Sequence, residues 1–228
     1  GHEFMFQEAI EHVAAWRAGG ITDHDMRSFL RERDRASRLE MDSASFNHFY
    51  LQLLVEEFPD AKFVFTVRDC VSWVESFLQM MLRNRKRHFE LGRTIPAWQV
   101  SLGRLMVGQF DPELFVSRDT LLEALPQIVD GYLRFWAEAN LQVLSILPRE
   151  RSLTVPTLAL TQSLPQICGF LGAAEDNLVL EAAHRNRGDA AAPLLATLDR
   201  DLLRARAQSH CGPLMARLFP DEPLVAAS

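Results

Sequence analysis

The segment FPDAKFVFTVRDCVSWVESF, residues 58–77, decides the fold of this chain. Its stretch from Lys62 to Val67 is short, β-branched and aromatic, which predicts a strand covered on both faces. Arg68 and Asp69 follow that strand directly, and the pattern from about residue 70 to 87 predicts the next helix. The segment therefore predicts a strand that is followed by a charged side chain at the beginning of a helix.

The residues on either side of this segment alternate between helical and strand patterns. Gly19 and Gly20 separate two amphipathic helices, and the residues around Leu39 and Met41 predict a short strand. Gly172 is a natural residue for ending a helix. The predicted elements are helices at 6–16, from Thr22 or Asp23 onward, at 46–58, 121–147 and 164–171, strands at 39–41 and 152–155, and a largely helical region from 188 to about 218.

Strands separated by helices predict a single α/β domain over residues 1–228. Its core would be a three-layer parallel sheet flanked by helices, and the stretch 39–67 would form a β-α-β unit within it. Ligands of such folds bind beyond the carboxyl ends of the strands. Arg68 is predicted at such an end.

The composition indicates a protein that has its own hydrophobic core and does not span a membrane. The 228 residues are 48% hydrophobic, which is enough to bury a sizeable core. No uncharged apolar run reaches the roughly 18 to 20 residues that span a bilayer, and the N-terminus shows no signal pattern, so we expect a cytoplasmic protein without membrane contact. The three cysteines have no CxxC spacing and no nearby histidine cluster, which predicts free thiols and no metal site.

Charge argues against a nucleic-acid partner, because the formal net charge is −6. The exception is the basic patch RNRKRH, residues 83–88. It is either a solvated helix end or a local site for an anionic ligand or acceptor.

Arg68 and Ser76 are the first candidate site residues. A strand end followed by a helix N-terminus offers free N–H groups and the positive end of the helix dipole to a phosphate. Arg68 can add a bidentate contact there, and the Ser76 hydroxyl, about two turns into the helix, can donate to the same anion. The alternative is that Arg68 pairs with Asp69 or another acid and that Ser76 lies on a helix surface.

The quoted segment resembles the 3′-phosphate-binding segment of sulfotransferases, which reads FP-x-AKF, a hydrophobic strand, RDP, and then W and S in the next helix. The resemblance implies a P-loop-NTPase-like sulfotransferase fold and 3′-phosphoadenylyl sulfate (PAPS) as donor, with no metal. Arg68 and Ser76 take the positions that hold the donor's 3′-phosphate. Cys70 stands where the family usually has proline, which mainly presets the first helical turn.

Later stretches are also similar to this family. GYLRFWAEAN and LPRERSLTVPTLALTQSLPQICGFLG match a long helix, a strand and a helix ending in FLG, and HCGPLMARLFP matches a recurrent bacterial C-terminus. AHRNRGD, residues 183–189, is similar to the basic loop that closes over the nucleotide. The resemblance therefore implies donor contacts from His184, Asn186 and Arg187, of which Arg187 is the principal phosphate contact, although an exposed polar loop is an equal alternative.

The family's opening strand and P-loop, which cradle the 5′-phosphosulfate, have no counterpart in the sequence. The chain is then truncated or processed, its upstream segment is missing from the sequence, or it is a degenerate member that binds nucleotide without chemistry. We accordingly expect poor sulfate transfer by these 228 residues and rescue by an upstream P-loop segment.

Three residues are candidates for the catalytic base. GHEFMF resembles the stretch after the P-loop helix in bacterial members, which implies that Glu3 removes the acceptor's proton; the alternative is that GHEF is a vector-derived leader before Met5. Asp42 and His48 lie near the expected pocket. Their structural alternatives are a helix cap for Asp42 or Ser43 and a solvent-facing position for His48.

These observations together predict transfer of a sulfuryl group from PAPS to a hydroxyl or amine of a small molecule or carbohydrate. Two rivals stay open. One is a non-catalytic domain that binds adenosine 3′,5′-bisphosphate (PAP), and the other is a kinase-like phosphate-binding enzyme, which the absence of a GKS or GKT motif disfavours. No motif identifies the acceptor or the oligomeric state.

Overall fold

The computed structural model of the chain describes residues 4–38, 40–174 and 192–221, and helices predominate within these ranges. The helices are α1 (Phe6–Arg17), α2 (Asp23–Ser37), α3 (Leu51–Glu57), α4 (Cys70–Glu90), α5 (Ala97–Val107), α6 (Arg118–Ile146), α7 (Leu164–Leu171) and α8 (Arg200–Leu218), and the strands are β1 (Phe63–Val67) and β2 (Ser152–Pro156). Short 3₁₀ turns precede several of them, including Asn47–Tyr50 before α3 and Pro112–Phe115 before α6.

Local sequence signals account for the helix ends. Gly19, at φ 73°, follows α1, and the left-handed backbone there suits glycine. Thr22 caps α2 in a reciprocal capping box with Asp25, whose amide donates to the Thr22 hydroxyl over 3.2 Å while its carboxylate accepts from the Thr22 amide over 2.9 Å. Gly172, at φ 76°, ends α7. The predicted ends of these three helices are therefore confirmed.

The two strands pair in parallel, with Phe63 opposite Ser152 and Val67 opposite Pro156. The connection between them runs through α4, α5 and α6, so the carboxyl ends of both strands lie at the same edge. The strand predictions for 62–67 and 152–155 are confirmed. The sheet has two strands among the described residues, so these give a mostly helical α/β fold.

The predicted strand around Leu39 and Met41 is wrong where the structure describes it. Met41 is 68% exposed, and residues 41–44 have no regular secondary structure; Leu39 lies outside the described residues. The neighbouring Asp42 is bound by side chains of other segments rather than lying in a sheet. The β-α-β unit predicted over 39–67 therefore lacks its first strand.

Two hydrophobic clusters hold the elements together. The larger one packs α4 against α6 and α8, with the end of β1, and Trp136 of α6 is 1% exposed at its centre. The smaller one joins α1, α2 and the 47–57 region, and α5 packs on it through Trp98 and Leu102. Helix α4 thus begins at the sheet edge and is fixed on its inner face by the larger cluster.

The three cysteines are free and buried, which confirms the predicted free thiols. Cys211 of α8 donates from Sγ to the Leu133 carbonyl over 3.3 Å. A hydrogen bond with Cys70, together with burial, raises the pKa of the Cys211 thiol. Cys70 therefore packs the start of α4 against α8.

Candidate functional site

Arg68 is the first residue after β1, and its backbone is held from two sides. The Trp136 indole Nε1–H of α6 donates to the Arg68 carbonyl over 2.9 Å. The hydroxyl of Thr157, which follows β2, donates to the Val67 carbonyl over 3.1 Å. These contacts fix the backbone from which the Arg68 side chain extends, at the carboxyl edge of both strands.

The Arg68 guanidinium has no hydrogen bond or ion pair to any residue that the structure describes, and its Nε atom is buried. The sequence also allowed Asp69 as an ion-pair partner of Arg68, but the Asp69 carboxylate makes a different contact. Its Oδ1 accepts from the Ser72 amide over 2.8 Å, which caps α4. A cation that is half-buried and unpaired is unfavourable unless an anion joins it. Arg68 is therefore available to an anionic ligand.

Ser76 lies on the exposed side of α4, opposite the buried residues Cys70, Val74 and Leu78. It follows Cys70 by six residues, which is about 9 Å along the helix axis. Its hydroxyl has no hydrogen bond within the described ranges. The structure thus places Arg68 and Ser76 at the N-terminal part of α4, and neither side chain has a hydrogen-bond partner in the part of the chain that the structure describes.

His48 is held in one tautomer. Its Nδ1–H donates to the Ser45 carbonyl over 2.8 Å, so in the neutral ring Nε2 carries the free lone pair. That Nε2 is buried and has no partner among the described residues. Burial, with a smaller contribution from Arg17, lowers the pKa of His48 from 6.5 to about 4. The solvent-facing position weighed from the sequence is wrong, and His48 is a neutral acceptor at pH 7.

The lowered pKa of His48 should make the protein less stable at acid pH. Between pH 6.5 and 4 the unfolded chain protonates His48 and the native chain does not, so the free energy of unfolding should fall by up to about 3 kcal/mol across that window. In His48→Asn this contribution should disappear, and the pH profile below 6.5 should become flatter. Urea unfolding at several pH values measures it. His24→Asn, at an exposed position, is the control, and identical profiles for His48→Asn and wild type would contradict the burial of the neutral ring.

Asp42 binds Arg33 through both carboxylate oxygens. Arg33 donates from its two terminal nitrogens to Asp42 over 2.6 and 3.0 Å, and from Nε to the Phe4 carbonyl over 3.0 Å. Asn47 donates to Asp42 Oδ2 over 3.0 Å. This network ties Phe4, the residue after Glu3, to α2. Asp42 does not cap a helix, and both of its oxygens are occupied.

Asp42→Ala should lower the free energy of unfolding by about 2 kcal/mol, because it leaves Arg33, a residue that is 5% exposed, without its carboxylate. Asp60→Ala, at an exposed position, is a matched control that should change stability by less than about 0.5 kcal/mol. Chemical unfolding of both variants measures the difference. Equal stability of the two variants would contradict this role of Asp42.

An aromatic row that the sequence pattern did not predict links His48 to α4. The ring of Phe135 lies 5.7 Å from His48 and 5.8 Å from Trp73, and Trp73 stacks on Phe77 at 5.3 Å between centroids. Trp73 and Phe77 are both in the quoted segment, but Phe135 is about 60 residues away. The row places His48 near the first turns of α4, on a partly buried surface suited to a flat ring.

Four of the predicted site residues lie outside the described residues: Glu3, His184, Asn186 and Arg187. Within the described ranges, no cluster of three or more His, Cys, Asp or Glu side chains could hold a metal ion. No helix described there has the length and apolarity needed to cross a bilayer.

A strand-end arginine with no partner among the described residues, at the start of a helix, is the candidate anion-binding feature of this α/β protein. Comparison with known proteins gives the family. The model of the Sulfotransferase family matches residues 3–127, which is more than half of the chain. The chain therefore belongs to the sulfotransferase family, and the resemblance found in the sequence is confirmed. No curated protein and no solved structure matches it.

Proposed function

We propose that this sulfotransferase uses PAPS as donor and transfers its sulfuryl group to a hydroxyl or amine of a small molecule or carbohydrate. Membership of the family supports sulfuryl transfer. The observation that carries the choice of donor is Arg68, a cation at the sheet edge where α4 begins, whose backbone is fixed and whose guanidinium has no partner among the described residues. PAPS differs from other sulfate carriers by a 3′-phosphate, which such a cation can bind.

The 3′-phosphate would lie between the Arg68 guanidinium and the first turn of α4. Asp69 occupies the Ser72 amide, which leaves the amides of Cys70 and Val71, the first two of the helix, for an anion. Ser76 would donate its hydroxyl from the same helix. His184, Asn186 and Arg187 would contact the donor from the basic loop, with Arg187 on a phosphate. A charge-assisted contact from arginine is about twice as strong as a neutral hydrogen bond.

We also propose the three-layer, P-loop-NTPase-like sheet for this domain. Among the described residues β1 pairs with β2 alone, so each strand has one edge at which a further strand could pair. A cytoplasmic location belongs to the same proposal and is supported by the three free thiols, which suit a reducing compartment.

The transfer step needs a base and no metal. As the acceptor oxygen forms its bond to sulfur, the bond from sulfur to the donor's phosphate oxygen breaks and PAP leaves with the electron pair. The acceptor's proton passes to the base. Positioning of the two oxygens in line and donors on the leaving phosphate supply the remaining rate enhancement.

Glu3, His48 and Asp42 are the proposed candidates for that base. The geometry favours His48 over Asp42, since the His48 Nε2 lone pair is free whereas both Asp42 oxygens are bound by Arg33. The low pKa of His48 makes it a weak base, however. Glu3 therefore stays the first candidate, and the Asp42–Arg33 pair would position the segment that follows it by holding Phe4.

The test is acceptor-dependent conversion of PAPS to PAP, followed by chromatography of the nucleotides. It should be run on the 228-residue chain and on the same chain with a family P-loop segment joined ahead of Gly1. PAP formation that requires an acceptor, in either protein, supports the proposal. PAPS that binds to both proteins and is consumed by neither would show a binding domain without transfer, and preferential binding of ATP would show a kinase-like protein.

A further inference from the structure

Positive charge is concentrated at the C-terminal end of α4. Residues 83–93 contain five Lys or Arg and one Glu, which is a net charge of +4. The net charge of the whole chain is −6, so the remaining residues together carry −10. Such an uneven distribution turns the basic end of the molecule toward an anionic surface and the acidic remainder away from it.

Three of these cations have no partner among the described residues. Arg83, Arg87 and Arg93 are exposed, and their side chains make no hydrogen bond or ion pair there. Lys86 is also exposed, and its 3.8 Å contact with Glu90 on the surface contributes little to stability. Like charges four residues apart on a helix, such as Arg83 and Arg87, destabilise it slightly. The arrangement is therefore unfavourable for folding alone and favourable for an anionic partner.

Two apolar side chains lie on the same basic surface. Met80 is 38% exposed and Leu91 is 54% exposed. Positions 80, 83, 87 and 91 follow one another at intervals of three or four residues, so these two side chains share one row with Arg83 and Arg87. The opposite face of α4 packs on the larger hydrophobic cluster. The row therefore stays on the outside of the folded chain.

A Schellman turn ends α4 and fixes the last residues of this row. The Arg93 amide donates to the His88 carbonyl over 2.9 Å, and Gly92 has the left-handed backbone, at φ 60°, that the turn needs. The Leu91 amide donates to the Arg87 carbonyl over 3.2 Å, so Leu91 still belongs to the last helical turn. The turn brings residue 93 back to the end of the row, where its charge adds to that of Arg87.

We infer that the outer face of α4, from residue 80 to residue 93, docks on the surface of a membrane that contains anionic lipids. The cations lie among the lipid phosphate and carboxylate groups, and Leu91 and Met80 enter the boundary between head groups and acyl chains. An acidic polymer offers the same charge without an apolar layer, so the exposed Leu91 and Met80 favour a membrane. The contact is peripheral and needs no spanning segment, and it replaces the expectation of a protein without membrane contact.

The docking face is separate from the site proposed for the donor. Arg83 follows Cys70 by 13 residues on α4, which is about 20 Å along the axis. A membrane at the C-terminal end of α4 therefore leaves the start of the helix in solution. Docking does not depend on sulfuryl transfer and can be measured without nucleotide. The basic patch, residues 83–88, is then more than a solvated helix end.

The experiment is cosedimentation of the 228-residue chain with vesicles of phosphatidylcholine alone or of phosphatidylcholine with about 30% phosphatidylserine. Partition into the phosphatidylserine vesicles should be at least tenfold stronger, and added salt should weaken it. Arg83→Gln combined with Arg87→Gln should reduce that partition about 25-fold, since each cation at an anionic surface contributes about fivefold. Arg149→Gln combined with Arg217→Gln, at two exposed positions outside α4, is the matched control and should change it less than twofold.

Leu91→Ala tests the apolar part of the contact. It should weaken partition about fivefold, because most of the leucine side chain no longer enters the acyl boundary. Unchanged partition of Leu91→Ala would overturn the membrane proposal, as would equal losses in the two double-arginine variants, which would show a diffuse charge effect. Binding of heparin, a soluble acidic polymer, without binding of phosphatidylserine vesicles would also overturn it.

Circular dichroism checks that each variant folds like the parent chain. All the substituted side chains are exposed, so no loss of structure is expected. Should a variant fail to fold, the parent chain still decides: equal partition into the two kinds of vesicle overturns the proposal, and partition that requires phosphatidylserine supports it.

Discussion

Arg68→Ala should weaken the binding of PAP by about 100-fold, because it removes a charge-assisted, bidentate contact to the 3′-phosphate. The loss of affinity should occur only for nucleotides that carry a 3′-phosphate. Adenosine 5′-phosphate has no 3′-phosphate, so its affinity should change less than about threefold. Isothermal titration calorimetry of both nucleotides with both chains measures the two ratios. The difference between them, about 2.7 kcal/mol for a 100-fold change, is the contribution of Arg68 to selectivity.

Two controls keep this prediction specific. Arg83→Ala removes an exposed arginine of α4 and should affect neither nucleotide by more than about twofold, since its charge is screened. Ser76→Ala should weaken PAP by less than Arg68→Ala, about fivefold, because a neutral hydroxyl contributes less than a guanidinium. Equal losses for PAP and adenosine 5′-phosphate in Arg68→Ala would place Arg68 elsewhere on the nucleotide.

Glu3→Gln should lower kcat for sulfuryl transfer by about 100-fold while the affinity for PAPS stays within about twofold. Glutamine keeps the shape and cannot accept the acceptor's proton, and removal of a general base reduces rate by about 10²- to 10⁴-fold. The assay uses whichever of the two proteins converts PAPS in the acceptor-dependent test. Parallel measurement of kcat and of PAPS binding separates the chemical step from donor binding.

His48→Asn and Asp42→Asn are the comparison variants for this step. If His48 were the base, His48→Asn would lower kcat by the larger factor and Glu3→Gln would leave it unchanged. Asp42→Asn acts through Arg33 and Phe4, so its expected signature is lower stability rather than an isolated fall in kcat. If Glu3→Gln changes neither kcat nor PAPS binding, Glu3 takes no part in the reaction. If kcat is unchanged and PAPS binding is weaker, Glu3 is a positioning residue.

The local elements were predictable because their signals are local. Strand β1, the start of α4 and the ends of α1, α2 and α7 each depend on residues within one or two turns, such as the Thr22–Asp25 capping box. The false strand near Met41 shows the limit. Its apolar residues suggested a sheet position, but Asp42 is bound to Arg33 on α2, a contact that no short pattern predicts.

The position of the candidate site in the sequence could be predicted, but the contacts around it could not. The order of strand, arginine and helix located Arg68, whereas its lack of a partner among the described residues depends on Asp69 capping α4 instead. Trp136 binds the Arg68 carbonyl from 68 residues away, and Phe135 meets both His48 and Trp73 across the fold. Such long-range contacts arise from packing of α6 on α4, so the periodicity and spacing of residues in the sequence do not predict them.

The most direct test of the central claim is a calorimetric titration of the wild-type chain with PAP, adenosine 5′-phosphate and ATP under one buffer and ionic strength. The claim is that Arg68 and the start of α4 bind a nucleotide 3′-phosphate. It predicts that PAP binds at least tenfold more tightly than either of the other two, because only PAP carries that group. Equal affinities for PAP and adenosine 5′-phosphate, or tighter binding of ATP, would contradict it.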